Sequence, residues 1–151
     1  MHAEFASAAH DYCTLVEQAD QLERSELLQR LQTTLGRLVA LASELPEVWP
    51  VEDGSEAQRR EPPTAVSRAL EDLPGHWDIY DPWVQRRPRS DLGSLADDLA
   101  DVYLDLAEGL DLLVGGAPRA AMWEWRFSFW CHWGRHATGA LRAIHTRLAD
   151  G

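Results

Sequence analysis

The sequence predicts an all-α protein: an antiparallel helical bundle of four main helices, with one short helix and an aromatic loop. Apolar residues recur at helical spacing along most of the 151 residues, and no alternation of period two is long enough for a sheet. A short connection between the last two helices favours an antiparallel pair. The length is ordinary for one core, so we expect residues 1–151 to form a single all-α domain.

The N-terminal third of the chain is predicted to form two long helices. Over residues 3–20 the apolar side chains fall at helical spacing, and a leucine-rich run follows Ser25. No proline interrupts that run before Pro46, which favours a long second helix. We interpret Gly36, inside this run, as a site of close packing. The polar, proline-containing stretch over residues 46–63 then predicts a flexible loop.

A shorter helix is predicted to begin after Pro63 and to end near Pro74. The segment HWDIYDPWVQRRPR follows as an aromatic loop with a proline turn. Tryptophan and tyrosine are enriched in protein interfaces and ligand pockets, so this loop is a candidate binding surface. The alternative is a loop that folds over the bundle and covers its core. The binding candidates are Trp77, Tyr80 and Trp83.

Two further helices are predicted in the C-terminal half. Ser94 is a typical N-cap, and an aspartate three residues later completes a variant of the capping box. Two glycines end this helix, and Pro118 suits the first position of the next one. We expect the last helix to run unbroken to about Leu148, with Trp130 and Trp133 on its apolar face.

The helix after Ser94 carries an acidic stripe, formed by Asp98, Asp101 and Asp105. These residues are three and four positions apart, so on a helix they lie together beside the apolar face. Such like charges repel, and near a core they need a cation, arginine partners or a shared proton. Mg²⁺ and Mn²⁺ accept carboxylate ligands, which makes a divalent-metal site one interpretation. A solvated face or arginine ion pairs are the alternative.

Arg126 is the candidate arginine partner. On a regular helix it projects on the same side as Trp130 and Trp133, and a buried arginine needs a carboxylate. The acidic stripe holds the nearest carboxylates in chain order. We therefore predict a link between Arg126 and one of its three aspartates, with stacking on tryptophan.

His132 and His136 have the spacing that places two imidazoles on one side of a helix. The HExxH zinc helix uses the same spacing, but the glutamate after the first histidine is missing here. A metalloprotease is therefore unsupported. The two histidines with Asp101 and Asp105 would still suit a metal site in a bundle, with Zn²⁺ as a further candidate ion. The alternative is a pair of structural histidines held by hydrogen bonds.

Composition narrows the classes of partner. The net charge of −11 argues against nucleic acid and anionic membranes, and it leaves a protein partner or a metal cation open. All 14 basic residues are arginine, which excludes a Schiff-base lysine and a P-loop lysine. The N-terminus has no secretory pattern, so we expect a cytoplasmic protein. Cys13 and Cys131 lie in apolar helical patterns and are expected to be buried.

Several of these segments resemble one bacterial family. The strings SLADDLADVYLDLAEGL and HWGRHATGALRAIH, with the YDPW segment, look like the family named domain of unknown function 5063. The resemblance spans the chain from about Phe5 to Leu148. It implies a small all-α cytoplasmic protein, and it brings no activity.

A weaker similarity is to the all-α nucleotide pyrophosphohydrolases, whose magnesium helices carry E-x-x-E and E-x-x-D elements. Asp98 and Asp101 stand where the second element would lie. Glu44 and Glu47 have the spacing of the first element, but Pro46 lies between them. Proline breaks the helix that this chemistry needs, so the chain departs from that family's pattern.

Two hypotheses of function remain. The first is a non-enzymatic binding or regulatory module whose protein partner meets the aromatic loop and an acidic face. The second is a metal-dependent hydrolase or metal-binding bundle, which uses the acidic stripe and the paired histidines with Mg²⁺, Mn²⁺ or Zn²⁺. The sequence favours the first of these.

Overall fold

A computed structural model describes residues 2–50, 60–79 and 90–151 of the chain, and the all-α prediction is confirmed. The described residues hold six α-helices that pack around one apolar core. None of these helices is long and apolar enough to cross a membrane. The helices are α1 (His2–Glu17), α2 (Arg24–Ser43), α3 (Thr64–Leu70), α4 (Leu95–Val114), α5 (Pro118–Ser128) and α6 (Gly134–Ala149).

The predicted helix boundaries in the C-terminal half are confirmed. The Ser94 hydroxyl accepts a hydrogen bond from the Asp97 backbone N–H, which satisfies one free donor at the start of α4. Pro118 is the first residue of α5, where its missing N–H costs nothing. Between the two helices Gly116 has a φ of 84°, a conformation that glycine adopts without strain.

A small hairpin was not predicted. Strands β1 (His76–Ile79) and β2 (Ser90–Gly93) pair antiparallel, with Trp77 opposite Leu92. Four residues are too few for a period-two pattern to stand out, which explains the failure. Tyr80 and Trp83, predicted as binding residues, lie outside the described residues, as does half of the predicted 46–63 loop.

Helix α4 lies at the centre of the bundle and contacts α1, α5 and α6. The Tyr12 hydroxyl of α1 donates to the Leu99 carbonyl at 2.8 Å, and the Trp125 indole of α5 donates to the Leu106 carbonyl at 3.1 Å. Both side chains are fully buried, so these bonds satisfy the polar ends of two large core residues. Gly109 makes the second contact possible, because a Cβ there would lie 2.0 Å from Trp125 Nε1.

Helices α5 and α6 form one continuous helix, as predicted, but a π-helical segment over Phe129–Trp133 joins them. The Gly134 N–H donates to the carbonyl of Phe129, five residues back. The extra residue in this wide turn changes which side chains face the core. Trp125 and Trp133 are buried, whereas Trp130 is exposed, contrary to the prediction from a regular helix. Cys131, also predicted to be buried, is exposed for the same reason.

The predicted link between Arg126 and the acidic stripe is wrong. Arg126 Nε instead donates to the Leu45 carbonyl at 3.2 Å, which ties α5 to the residue beyond the end of α2. Within the described ranges no aspartate lies in ion-pair distance of this guanidinium. The prediction assumed that a regular helix continues past Arg126 and that carboxylates near in the chain are also near in space. The π-helical segment contradicts the first assumption, and the contact with Leu45 contradicts the second.

Candidate metal centre

Asp98, in the first turn of α4, is the buried hub of the site. Its side chain is 5% exposed, and each carboxylate oxygen contacts one histidine. His76 Nε2 lies 2.7 Å from Oδ2, and His136 Nδ1 lies 2.8 Å from Oδ1. An ionised carboxylate can only accept, so both ring nitrogens carry the protons. Two donated bonds compensate the burial of the charge, and the bond that His136 donates to Asp98 raises the pKa of His136.

Asp105 holds the second histidine in the same manner. His132 Nδ1 lies 2.7 Å from Asp105 Oδ2. Burial raises the pKa of Asp105, and the hydrogen bond from His132 opposes that rise. Each histidine of the last helix is thus bound through Nδ1 to a carboxylate of α4. In metal proteins a carboxylate partner of this kind fixes the imidazole tautomer and leaves Nε2 as the ligand atom.

Asp101 lies close to both imidazoles. One ligand atom from each of Asp101, His132 and His136 lies within 4.8 Å of the others; we call these three residues the triad. His136 Nε2 and Asp101 Oδ2 are 3.5 Å apart, beyond a normal hydrogen bond. Metal–ligand bonds of about 2.1 Å at a tetrahedral angle would place two ligand atoms roughly 3.4 Å apart. The spacing therefore suits two atoms that bind one cation.

The triad is open on one side. The Asp101 and His132 side chains are 39% and 42% exposed, whereas His136 is mostly buried. An ion could reach the ligand atoms from solvent through the exposed side of Asp101 and His132. The site thus combines a rigid base at Asp98 with an accessible outer edge.

The π-helical segment positions the histidines. His132 lies inside the segment and His136 lies in the first turn of α6. Their ring centroids are 4.9 Å apart at 69°, an edge-on arrangement in which both rings face α4. Single π turns inside α-helices occur frequently at functional sites.

Further carboxylates on the same side of the bundle add negative charge. Burial raises the pKa of Glu124, in α5, to about 7, with further contributions from Glu108 and then Asp105. Burial likewise raises the pKa of Glu108, and Asp105 and Asp111 add to that rise. This accumulation of carboxylates favours a nearby cation.

The raised pKa of Glu124 predicts a pH-dependent gain in stability for Glu124→Gln. The folded protein holds the proton up to about pH 7, but the ordinary value is 4.5. The stabilising contribution of the proton is complete below 4.5 and is lost as pH rises through 7. At pH 8 the variant should exceed wild type by about 1 kcal/mol, a value reduced because the side chain is half exposed. Near pH 4.5 the two proteins should melt alike.

Thermal melts of both proteins at pH 4.5, 6 and 8 check this expectation. Glu61→Gln is the matched control, since Glu61 is exposed in the segment before α3. At pH 8 its melting difference from wild type should be smaller than that of Glu124→Gln. An identical pH profile for Glu124→Gln and wild type would contradict the assignment.

The structure brings some of the candidate residues from the sequence into one site and places others elsewhere. It brings together five of them, from the acidic stripe and the paired histidines. Arg126 points elsewhere, and Trp77 lies on the hairpin beyond His76. His76 was missed as a partner of Asp98, because no spacing rule connects residues 22 positions apart across a loop. Glu44 and Glu47 follow the end of α2 and are exposed, so they form no helical carboxylate pair.

Comparison with known proteins supports the fold. The family model described as "Domain of unknown function (DUF5063)" matches residues 1–150. The crystal structure of protein BF1032 from Bacteroides fragilis is similar, with a TM-score of 0.71 over 95% of this chain and 89% of that chain. The sequence identity is 20%, so this likeness shows a shared fold alone. No curated protein matches the chain.

Proposed function

This chain belongs to the DUF5063 family, and we propose that it binds one divalent transition-metal ion through Asp101, His132 and His136. The observation that carries the proposal is the pair of carboxylate–histidine bonds from α4. Asp98 accepts a hydrogen bond from Nδ1 of His136, and Asp105 accepts one from Nδ1 of His132. His136 Nε2 is left beside Asp101, in the arrangement that outer carboxylates give to histidine ligands in metal sites.

The ligand set favours Zn²⁺, with Fe²⁺ and Mn²⁺ next. Imidazole nitrogen suits zinc and iron, whereas Mg²⁺ prefers oxygen ligands and water. Two histidines and one carboxylate are a common set for catalytic zinc and for non-haem iron. Among the described residues the Asp101 carboxylate is held only by its 3.5 Å contact with His136 Nε2, so it can turn toward an ion.

Three protein ligands leave a coordination position for water. Zinc lowers the pKa of a bound water molecule to about 7, which makes hydroxide available at neutral pH. The exposed side of the triad gives a substrate access to that position. The chemistry that this arrangement supports best is metal-dependent hydrolysis, the second of the two hypotheses from the sequence.

Metal uptake by purified, untagged protein tests the proposal. We expect close to one Zn²⁺ per chain by elemental analysis, and a melting temperature that rises with added Zn²⁺ and falls in EDTA. A free metal concentration 100 times the dissociation constant stabilises a native state by about 2.7 kcal/mol. Asp101→Asn should bind Zn²⁺ at least tenfold more weakly by calorimetry, because the triad loses its charged ligand.

Two matched variants make the result interpretable. Asp97→Asn removes an exposed carboxylate from the same helix and should keep full affinity. His145→Ala removes an exposed histidine from α6 and should do the same. A folded Asp101→Asn protein that keeps wild-type affinity would rule out the triad. A wild-type protein that takes up none of the three ions would rule out the function.

A binding module is the second candidate, and the hairpin favours it. Trp77 and Leu92 face each other across the two strands, and both are largely exposed. An exposed apolar pair of this kind is typical of an interaction surface. A chain without metal would leave this candidate standing.

A further inference from the structure

A cavity of about 340 Å³ lies between the hairpin and α6, next to the proposed metal centre. Helix α6 contributes Arg135, Thr138 and Arg142, which are three and four residues apart and so share one face. His76 and Trp77 of β1 form the opposite wall. The volume is that of a small-molecule site. We call this space the arginine cavity.

Two of the residues that line this cavity are arginines. The chain carries a net charge of −11, yet Arg135 and Arg142 both belong to the wall of this one concavity. Arg142 is exposed and has no ion-pair partner within the described ranges, whereas Arg135 makes contacts of its own. Two guanidiniums two helical turns apart suit an oxyanion that can accept several hydrogen bonds.

The wall of β1 adds an apolar, planar element. Trp77 is 68% exposed although it lines the cavity, so much of its indole is available to a ligand. Exposed tryptophan faces bind planar rings by stacking. The combination of arginines and an exposed indole fits a molecule that is anionic at one end and planar at the other.

His76 connects this cavity to the proposed metal centre. It lines the cavity, and its Nε2 contacts Asp98, whose other oxygen holds His136 of the triad. Arg135 also precedes His136 directly in the chain. The His76 side chain alone would therefore separate a ligand in the arginine cavity from Asp98, the carboxylate that orients His136 of the triad.

We infer that the arginine cavity binds the phosphate group of a small organic phosphate that carries a planar ring. The inference rests on the proposed function in that it names the substrate class of the same site. Phosphate is favoured over carboxylate because it offers three oxygens as acceptors to the arginines that line the cavity.

Calorimetric titration of the full chain with phenyl phosphate tests the inference. We expect binding that is tighter than that of inorganic phosphate and of benzoate, because the probe satisfies both walls of the cavity. Arg142→Gln should weaken phenyl phosphate on the order of tenfold. Trp77→Ala should reduce its affinity to that of inorganic phosphate. Arg147→Gln, on the same helix but outside the cavity, should change nothing.

The outcomes separate this inference from the metal proposal. No binding of phenyl phosphate at millimolar concentration, or unchanged binding by Arg142→Gln, would overturn the inference. Benzoate that binds as tightly as phenyl phosphate would overturn its phosphate part. The phenyl phosphate titrations are repeated in EDTA and with the Asp101→Asn variant. Neither the chelator nor the substitution removes a residue that lines the cavity. Phenyl phosphate binding in a protein that takes up no metal would sustain the cavity and refute the proposed function.

Discussion

Replacement of Gly109 by alanine is expected to lower the free energy of unfolding by about 2–4 kcal/mol. The new methyl group would lie 2.0 Å from Trp125 Nε1, and the ring behind it is fully buried. The indole must therefore move, which breaks its bond to the Leu106 carbonyl and disturbs the packing of α5 on α4. Urea denaturation followed by circular dichroism measures the effect.

Gly36→Ala is the matched control for this prediction. Gly36 also lies inside a helix, but nothing is within 4 Å of the position its Cβ would take. Alanine there should raise the free energy of unfolding by about 0.5–1 kcal/mol, because glycine is the poorer helix former. The two identical substitutions should thus have opposite signs. Stabilisation by both would contradict the close contact between α4 and α5.

Asp98→Asn is the second substitution with a large expected effect. The buried carboxylate accepts one bond on each oxygen, from His76 and from His136. An amide keeps one acceptor and turns a donor toward the other histidine, so one buried donor loses its partner. Loss of one member of a buried charged network costs about 3–5 kcal/mol. Metal affinity should fall about 10–100-fold, since the orientation of His136 is lost.

Denaturation and Zn²⁺ titration should be measured on the same preparation. Asp97→Asn is the control, because that neighbouring carboxylate is exposed and its loss should cost less than about 1 kcal/mol. If Asp98→Asn retained both wild-type stability and wild-type metal affinity, Asp98 would not be the hub of the site. If stability fell and affinity held, the role of Asp98 would be structural alone.

Much of the fold follows from local signals. Ser94 and Pro118 mark helix starts through backbone hydrogen bonding, and such effects depend only on neighbouring residues. Gly36 and Gly109 show the limit of the same approach. Both are helical glycines in the sequence, and the sequence pointed to Gly36 as the site of close packing. The close contact occurs at Gly109, because it depends on which residue the facing helix presents.

The candidate site, like the fold, could be predicted from the sequence only in part. The spacing of the acidic stripe and of His132 and His136 grouped residues that the fold does place together. Their pairing could not be predicted, because it depends on the relative rotation of two helices. His76 reaches Asp98 only through the path of the hairpin, which no local pattern specifies.

The wide turn between α5 and α6 limits how sequences of this kind can diverge. One residue corresponds to roughly 100° of rotation in a regular helix. A single deletion within Phe129–Trp133 would remove the extra residue and leave a regular α-helix with α5 and α6 still in phase, whereas a deletion elsewhere in either helix would rotate one against the other. After a deletion outside the segment, either Trp133 would leave the core or His136 would leave Asp98. Gly134 is constrained as well, since a Cβ there would lie 2.3 Å from the Phe129 carbonyl oxygen. A one-residue gap in alignments of relatives should therefore fall in this stretch rather than elsewhere in α5 or α6.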